Sequence, residues 1–300
     1  MAKRYQASLW HVWWPFALLC LAASSEWTIT DNWPQAGSTL ASETVACALA
    51  AGLSVGLALK NRSRRPSEAS SFTAALGGTL VLVGPIIGIL LQAPSLNPAS
   101  LVLALALTPV VTAVAEAASG SSEDGLSAAN LWPGLAALVG LLLILPEPSF
   151  SNPLNDLVLL LTPLLTGVGC VLFRSSVAST SGTWSSAAAF ASAGCVFGIG
   201  AAAQAIRQRA IPALAPASVA VDFVLTLLTI LALQRLAASQ YTARYVLVPL
   251  AILLQSLFLL HSGISARSVA CGVLLVGAAV SLLWPRNEKD STEPPKIMAG

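Results

Sequence analysis

Polar side chains inside apolar stretches are the residues of this chain best placed to do chemistry. Asp222 and Glu43 each lie about five residues, or ~8 Å, inside an apolar segment that contains no other acid. Gln255 and Gln204 lie in the same half of two further segments. Ionisable and amide groups are costly in hydrocarbon and usually face a cavity. The four residues predict an acidic, amide-lined vestibule that binds a cationic solute or a proton, unless Glu43 and Gln204 extend to the headgroups.

A second group of candidates lies near the opposite ends of the apolar segments. Arg244 and Tyr241 begin a segment late in the chain, where an arginine acts either as an interface anchor or as an anion ligand. Near the start, His11 with Trp13 and Trp14 either lines the inner mouth of a pathway or belts the membrane interface. The first reading rests on histidine titrating near neutral pH and on tryptophan stacking against flat solutes.

The sequence offers little support for an enzyme, because it contains no HExxH pair and no glycine-rich phosphate loop. His11 and His261 lie far apart, and the cysteines occupy apolar stretches without a CxxC pair, which favours packing over metal binding. No basic patch interleaved with aromatic residues indicates nucleic-acid binding. We therefore expect no catalytic residues, metal, cofactor or nucleic-acid partner. An intramembrane enzyme is the least supported alternative.

Composition identifies the solvent for most of the chain. Of 300 residues, 56% are hydrophobic and 9% are charged, and the mean hydropathy is +0.78. An average soluble domain has about 25% charged residues. A soluble protein this apolar would expose much of the surplus and aggregate, so the chain is expected to lie mostly in lipid.

Ten apolar segments follow when the chain is cut at polar, charged and proline-rich breaks. They run about 6–25, 38–59, 70–91, 98–118, 128–145, 154–173, 184–206, 217–235, 241–261 and 265–284. Each is close to the ~20 helical residues that cross ~30 Å of hydrocarbon. Lipid offers no partner for backbone N–H and C=O groups, so we expect ten transmembrane helices in an all-α membrane protein. For the first segment, preceded by Lys3 and Arg4, a cleaved signal peptide is an alternative.

The basic residues predict the orientation. With both termini in the cytoplasm, twelve lysines and arginines lie inside and three, Arg207, Arg209 and Arg267, lie outside. The inner residues are Lys3, Arg4, Lys60, Arg62, Arg64, Arg65, Arg174, Arg235, Arg244, Arg286, Lys289 and Lys296. Cytoplasmic loops carry the excess of positive charge, so we expect a multi-pass protein of the cell (inner) membrane with both termini cytoplasmic.

Pro109 and Pro249 each lie in the fourth segment of a set of five, and a glycine-containing segment follows each. The distance from proline to Gly134 is 25 residues in the first set, and from proline to Gly272 it is 23 in the second. We therefore predict two five-helix repeats, 1–147 and 148–285, and a disordered cytoplasmic tail, 286–300. Five is odd, so the second repeat is inverted in the membrane. Each proline removes a backbone donor and opens its helix toward a cavity, or simply reflects the frequency of proline in membrane helices.

The stretch "LAASQYTARYVLVPLAILLQSLFLLHSGISARSVACGVLLVGAAVSLLW" resembles the end of an EamA-type repeat of the drug/metabolite transporter superfamily. "ASLVLALALTPVVTAVAEAASG" followed by "LWPGLAALVGLLLILP" is similar to the same end of the first repeat. The resemblance implies ten helices in two inverted halves and the export or exchange of small metabolites. Relatives often carry a glycine–glutamate pair at the end of the fourth helix. This chain has Glu116 there in the first half but His261 in the second.

These patterns together predict a secondary transporter of a small metabolite, working by alternating access. Efflux or exchange, coupled to protons or to a second solute and without an ATP site, is the expected mode. The expected state is a monomer or homodimer in the lipid bilayer. The alternative is a non-transporting scaffold or lipid-handling protein with the same fold.

Overall fold

The computed structural model describes residues 12–25, 36–63, 66–91, 98–120, 128–145, 152–179, 181–209, 214–259 and 265–283. Every regular element in these ranges is a helix, as expected for backbone that must satisfy its own hydrogen bonds in lipid. His11, His261 and the tail 286–300 lie outside these ranges.

The helices follow the predicted apolar segments closely. They are α1 (Val12–Ser25), α2 (Ala36–Lys60), α3 (Glu68–Val83), α4 (Ile87–Leu90), α5 (Pro98–Ala106), α6 (Thr108–Ala118), α7 (Ala128–Leu142), α8 (Pro153–Ser179), α9 (Gly182–Gln208), α10 (Pro216–Arg235), α11 (Ala238–Thr242), α12 (Arg244–Leu259) and α13 (Ala266–Leu283). A short 3₁₀ turn, Gly84–Ile86, links α3 and α4.

Local sequence explains several helix ends. At the start of α3, the Ser67 side chain accepts a hydrogen bond from the N–H of Ser70, and Glu68 lies in the positively polarised first turn. Pro216 lies in the first turn of α10, where its missing N–H has no intrahelical partner to lose. The last turn of α2 ends on Lys60, a cation at the negative end of the helix dipole.

Within the described residues, eight helical segments are long and apolar enough to cross a membrane. Two shorter apolar helices, Val12–Ser25 and Leu131–Leu142, lie where the first and fifth crossing segments are predicted. Large apolar side chains also cover the outside of the bundle, where Phe72, Ile206 and Phe258 are each 70% or more exposed. Water would penalise such a surface, whereas lipid does not. The chain is therefore a multi-pass helical membrane protein.

Two of the predicted crossing segments are each divided into two helices, and the positions of the prolines do not predict where the division falls. The fourth segment breaks at Leu107, whose N–H donates to the carbonyl of Ala104, and Pro109 lies in the first turn of α6. The ninth segment breaks at Ala243, and Pro249 lies further along, inside α12. The expectation that both prolines lie at matching places inside a helix is therefore corrected: only Pro249 is internal to its helix.

Glycines and alanines bring α3, α8 and α9 into close contact. A side chain at Gly77 of α3 would meet the backbone of Phe173 in α8. One at Gly169 of α8 would lie 2.8 Å from the backbone nitrogen of Val81. On α9, Gly194 lies beside Cys47 of α2. Such contacts are how helices associate where lipid removes the hydrophobic driving force.

The directions of the helices follow from pairs of contacting residues. Cys47 and Leu40 of α2 lie beside Gly194 and Gly200 of α9, so those two helices run in opposite directions. Thr79 of α3 hydrogen bonds Ser192 of α9 at 2.7 Å, and the preceding pair, Gly78 and Ala189, shows that these two helices run in the same direction. Helix α9 thus contacts both α2 and α3.

The five cysteines are free thiols. Cys20, Cys47, Cys170 and Cys271 are buried among apolar side chains, as the packing interpretation predicts, whereas Cys195 is exposed on the side of α9. Free cysteine in such surroundings behaves as a small apolar residue.

Candidate functional site

Three polar side chains form a stripe along α10. Asp222, Thr226 and Thr229 are spaced four and three residues apart, which places them on one face of the helix. From Asp222 to Thr229 the stripe covers about 10 Å of helix length, a third of the ~30 Å hydrocarbon core. Each end of this stripe meets polar residues of other helices, in two clusters.

The carboxyl cluster consists of Ser42 and Glu43 on α2 with Asp222 and Thr226 on α10. The Thr226 hydroxyl donates to Glu43 Oε2 at 3.4 Å, and the Ser42 hydroxyl hydrogen bonds the Asp222 carboxylate. Ser42 and Glu43, which are neighbours in α2, therefore meet residues that lie one turn apart on α10. Both carboxylates also lie near the Cys47 sulfur, one turn further along α2.

Glu43 and Asp222 are half-buried, and Ser42 and Thr226 are buried. A half-buried carboxylate is costly to keep ionised, and a proton or a bound cation relieves that cost. The structure therefore brings together the two acids that the sequence singles out, and adds two hydroxyl groups that hold them.

The arginine cage consists of Thr229, Tyr241, Arg244 and Tyr245. Arg244 Nη1 donates to Thr229 Oγ1 at 3.1 Å, and Nη2 donates to the Tyr245 hydroxyl at 2.6 Å. The guanidinium carbon lies 4.9 Å from the ring centre of Tyr241 and 4.5 Å from that of Tyr245. Cation–π contacts of this kind are worth about 0.5–2 kcal/mol, more when desolvated.

A further shell holds the cage in place. The Tyr245 hydroxyl also hydrogen bonds with Thr166 of α8, and the thiols of Cys20 and Cys170 lie near the guanidinium. Tyr241 is fully buried and Arg244 is partly exposed. None of the contacts that Arg244 makes with the described residues is to a carboxylate. The cage therefore holds an arginine inside the bundle rather than at its surface.

The break between α11 and α12 places this arginine. Arg244 begins α12 directly after the break, so its side chain turns back toward α10. Helix α11 is itself fixed by the end of α6, where Glu116 Oε1 accepts a hydrogen bond from the N–H of Ser239 at 3.3 Å. A carboxylate at a helix N-terminus is favourable, which gives Glu116 a structural role in the described fold.

The other predicted candidates lie apart from both clusters. Gln255 Nε2 donates to Ser24 of α1 at 3.1 Å. Trp14 lies under Arg235, with the guanidinium carbon 5.6 Å from its ring centre. Gln204 is buried at 4% exposure, which corrects the alternative that it extends to the headgroups, and its Oε1 has no hydrogen-bond partner within the described ranges.

A network at the Lys60 end of the bundle ties α8, α9 and α10 together, and we call it the latch. Arg174 of α8 donates to the carbonyl of Gln234 in α10. The Gln234 amide in turn donates to the carbonyl of Gly182 at 2.6 Å and contacts the hydroxyl of Ser186 on α9. The latch thereby closes the space between these helices at that end.

Two cavities among the described residues lie away from both clusters. One, of about 380 Å³, lies beside Pro66, Ser71 and Trp184. The other, of about 400 Å³, is an apolar groove between α12 and α13, lined by Leu250, Leu253, Leu254, Leu257, Ser268, Val269, Gly272, Val273 and Val276.

Sequence reasoning missed the part played by Thr226, Thr229 and Tyr245. The helical spacing of Asp222, Thr226 and Thr229 could have predicted the stripe, since polar residues on one face of a lipid-embedded helix usually face the bundle interior or a cavity. The string GLSVG at 52–56 matches a nucleophile-elbow pattern, but Ser54 lies within α2 instead of on a strand-to-helix turn, so it carries no such chemistry.

No protein-family model and no curated protein matches the chain. A solved structure described as "Crystal structure of protein" is similar over 91% of this chain and 98% of its own, with a TM-score of 0.65 and 15% sequence identity. At this identity the likeness shows a shared fold alone.

Proposed function

We propose that the chain is a secondary transporter that moves a small metabolite across the cell inner membrane by alternating access. The observation that carries the proposal is the polar stripe of α10, which joins a carboxyl cluster at one end to a partly buried arginine at the other. Charged groups at membrane depth mark solute and ion pathways, because nothing else repays their desolvation. The resemblance to EamA-type transporters agrees with this assignment.

The packing supports two inverted five-helix repeats, 1–147 and 148–285, in which α2 corresponds to α9 and α3 to α10. Exchanging the halves converts the contact of α3 with α9 into that of α10 with α2, and both contacts are present. It also converts the contact of α6 with α7 into that of α12 with α13, again present. The corresponding helices α2 and α9 run in opposite directions, as inversion requires. We take α1 and α7 as the remaining crossing segments.

The charge distribution places the Lys60 end in the cytoplasm. In that orientation the latch closes the cytoplasmic side, and the carboxyl cluster lies in the outer half of the membrane. Opening the latch while the outer contacts close would expose the stripe to the other side. A proton on the carboxyl cluster that changes the balance between the two states would couple the movement of solute to the pH gradient.

The test begins with the metabolite profile of cells that contain or lack the protein. Metabolites that differ are then offered to proteoliposomes of the purified full-length chain, with and without a pH gradient. Saturable, protein-dependent flux that responds to the gradient supports the proposal. Flux equal to that of empty liposomes for all of the differing metabolites contradicts it.

A second function has one observation in its favour. The apolar groove between α12 and α13 is open to lipid and large enough for part of an acyl chain. A lipid-handling scaffold would use this groove and leave the carboxyl cluster idle. Two results together would favour the scaffold. Lipids would copurify with the unaltered chain and be lost in Gly272→Leu, and the unaltered protein would show no solute flux.

A further inference from the structure

We infer that the arginine cage is an anion subsite that binds a single carboxylate group of the transported solute. The inference rests on the proposed transport function and names its substrate class: a small organic acid, or a metabolite that presents one free carboxylate. The subsite lies at the end of the α10 stripe that is further from the carboxyl cluster.

The first support is the uncompensated charge of Arg244. An arginine stays charged at any pH a cell meets, and a buried charge without a counter-ion is costly. The described contacts of Arg244 are two hydroxyl groups and two aromatic rings, which offset only part of that cost. A bound anion supplies the missing counter-ion, and the partly exposed side chain leaves a route to it.

The second support is the geometry of the guanidinium. It lies over the rings of Tyr241 and Tyr245, and its two described hydrogen bonds leave further N–H donors unused. All the donors of a guanidinium lie in its plane. A carboxylate is the planar partner that such an edge binds through two parallel hydrogen bonds.

The third support is the charge count, which favours a carboxylate over a phosphate. Arg244 supplies one positive charge, and the nearby titratable side chains are the thiols of Cys20 and Cys170 and the phenols of Tyr241 and Tyr245, none of them cationic. One guanidinium balances one carboxylate. A phosphate monoester carries about −1.5 to −2 at pH 7 and would remain partly unpaired in this site.

Binding is tested on the purified full-length chain in detergent, by the temperature at which it unfolds. A ligand that binds the folded state raises that temperature in a saturable way. The probes are sodium butyrate, the neutral analogue butyramide and inorganic phosphate, at matched ionic strength. The variants are Arg244→Gln and, as a matched control, Arg235→Gln, because Arg235 also lies over an aromatic ring but is exposed.

We expect butyrate to raise the unfolding temperature of the unaltered chain and of Arg235→Gln, and to leave Arg244→Gln unchanged. Equal effects of butyrate and butyramide, or a full butyrate effect in Arg244→Gln, would overturn the subsite. A larger effect of phosphate would overturn the choice of carboxylate. If Arg244→Gln does not fold, Tyr245→Phe keeps the charge but removes one contact. A several-fold rise in the butyrate concentration for half-maximal effect then supports the subsite, and no change overturns it.

The outcome separates the subsite from the transport proposal. Butyrate binding through Arg244 without flux of any carboxylate would support the subsite and contradict the transport proposal. Flux of a solute in proteoliposomes without any butyrate effect on the unfolding temperature would support the transport proposal and contradict the subsite.

Discussion

Arg244 donates a 3.1 Å hydrogen bond to Thr229, and that threonine lies two turns of α10 beyond Asp222. One helix face therefore carries contacts of opposite charge about 10 Å apart. A solute with charges a few ångströms apart cannot bridge both. Under the proposed transport function we therefore expect separate roles, with the arginine binding the solute and the carboxyl cluster binding the coupling ion.

Replacing Thr229 with Val tests the hydrogen bond at the arginine end. Valine keeps the shape but removes the acceptor for Arg244. Hydrogen bonds to charged groups contribute about 1.5–3 kcal/mol, so we expect the KM for the transported solute to rise about tenfold or more. Thr73→Val is the control, because among the described residues the Thr73 hydroxyl bonds only to the carbonyl of Ala69 in its own helix. Equal KM values for the two variants would exclude a role for the Arg244–Thr229 contact.

Asp222→Asn separates coupling from binding. Asparagine can still accept the hydrogen bond from Ser42 but cannot exchange a proton. We expect flux driven by a pH gradient to fall at least tenfold, while exchange of labelled for unlabelled solute without a gradient persists. Glu68→Gln, an exposed acid at the start of α3, is the control and should leave both rates unchanged. Retained gradient-driven flux in Asp222→Asn would remove Asp222 from coupling.

Gly77→Ala tests the packing of α3 on α8. The added methyl group would meet the backbone of Phe173, which cannot move aside as a flexible side chain can. Overpacking of this kind costs about 1–3 kcal/mol, so the thermal unfolding temperature in detergent should fall by several degrees. Gly52→Ala is the matched control, since its added methyl group would meet no described atom within 4 Å apart from the adjoining backbone of its own helix. A fall of the same size in both variants would show that the contact with Phe173 is not its cause.

Much of the fold can be predicted from hydropathy because lipid imposes length and apolarity on every crossing helix. The predicted segment 217–235 and the observed α10, Pro216–Arg235, differ by one residue. Depth along a helix is predictable in the same way. Glu43 and Asp222 are predicted at similar depths, and both belong to the cluster in which α2 contacts α10.

Rotation and breaks are what hydropathy does not give. Arg244 lies about one turn inside its predicted segment, where a side chain extends to the headgroups or turns inward according to the backbone before it. The break at Ala243 decides this, and it depends on contacts with distant residues such as Glu116 with Ser239. Likewise Pro109 lies just after the break at Leu107 while Pro249 lies inside its helix, because a proline permits a break without fixing its place.

Gln234→Ala tests whether the latch holds the cytoplasmic side closed. The change removes the contacts with Gly182 and Ser186 that tie α10 to α9, so the equilibrium should shift toward the state open at that end. In chains that keep Cys170 as the one cysteine, we expect a water-soluble maleimide to label it several-fold faster. Gln240→Ala is the control, because within the described part of the chain the Gln240 side chain bonds only to the nearby N–H of Ala237 at the same end. Labelling rates equal to the control would mean that the latch contributes to stability without gating the pathway.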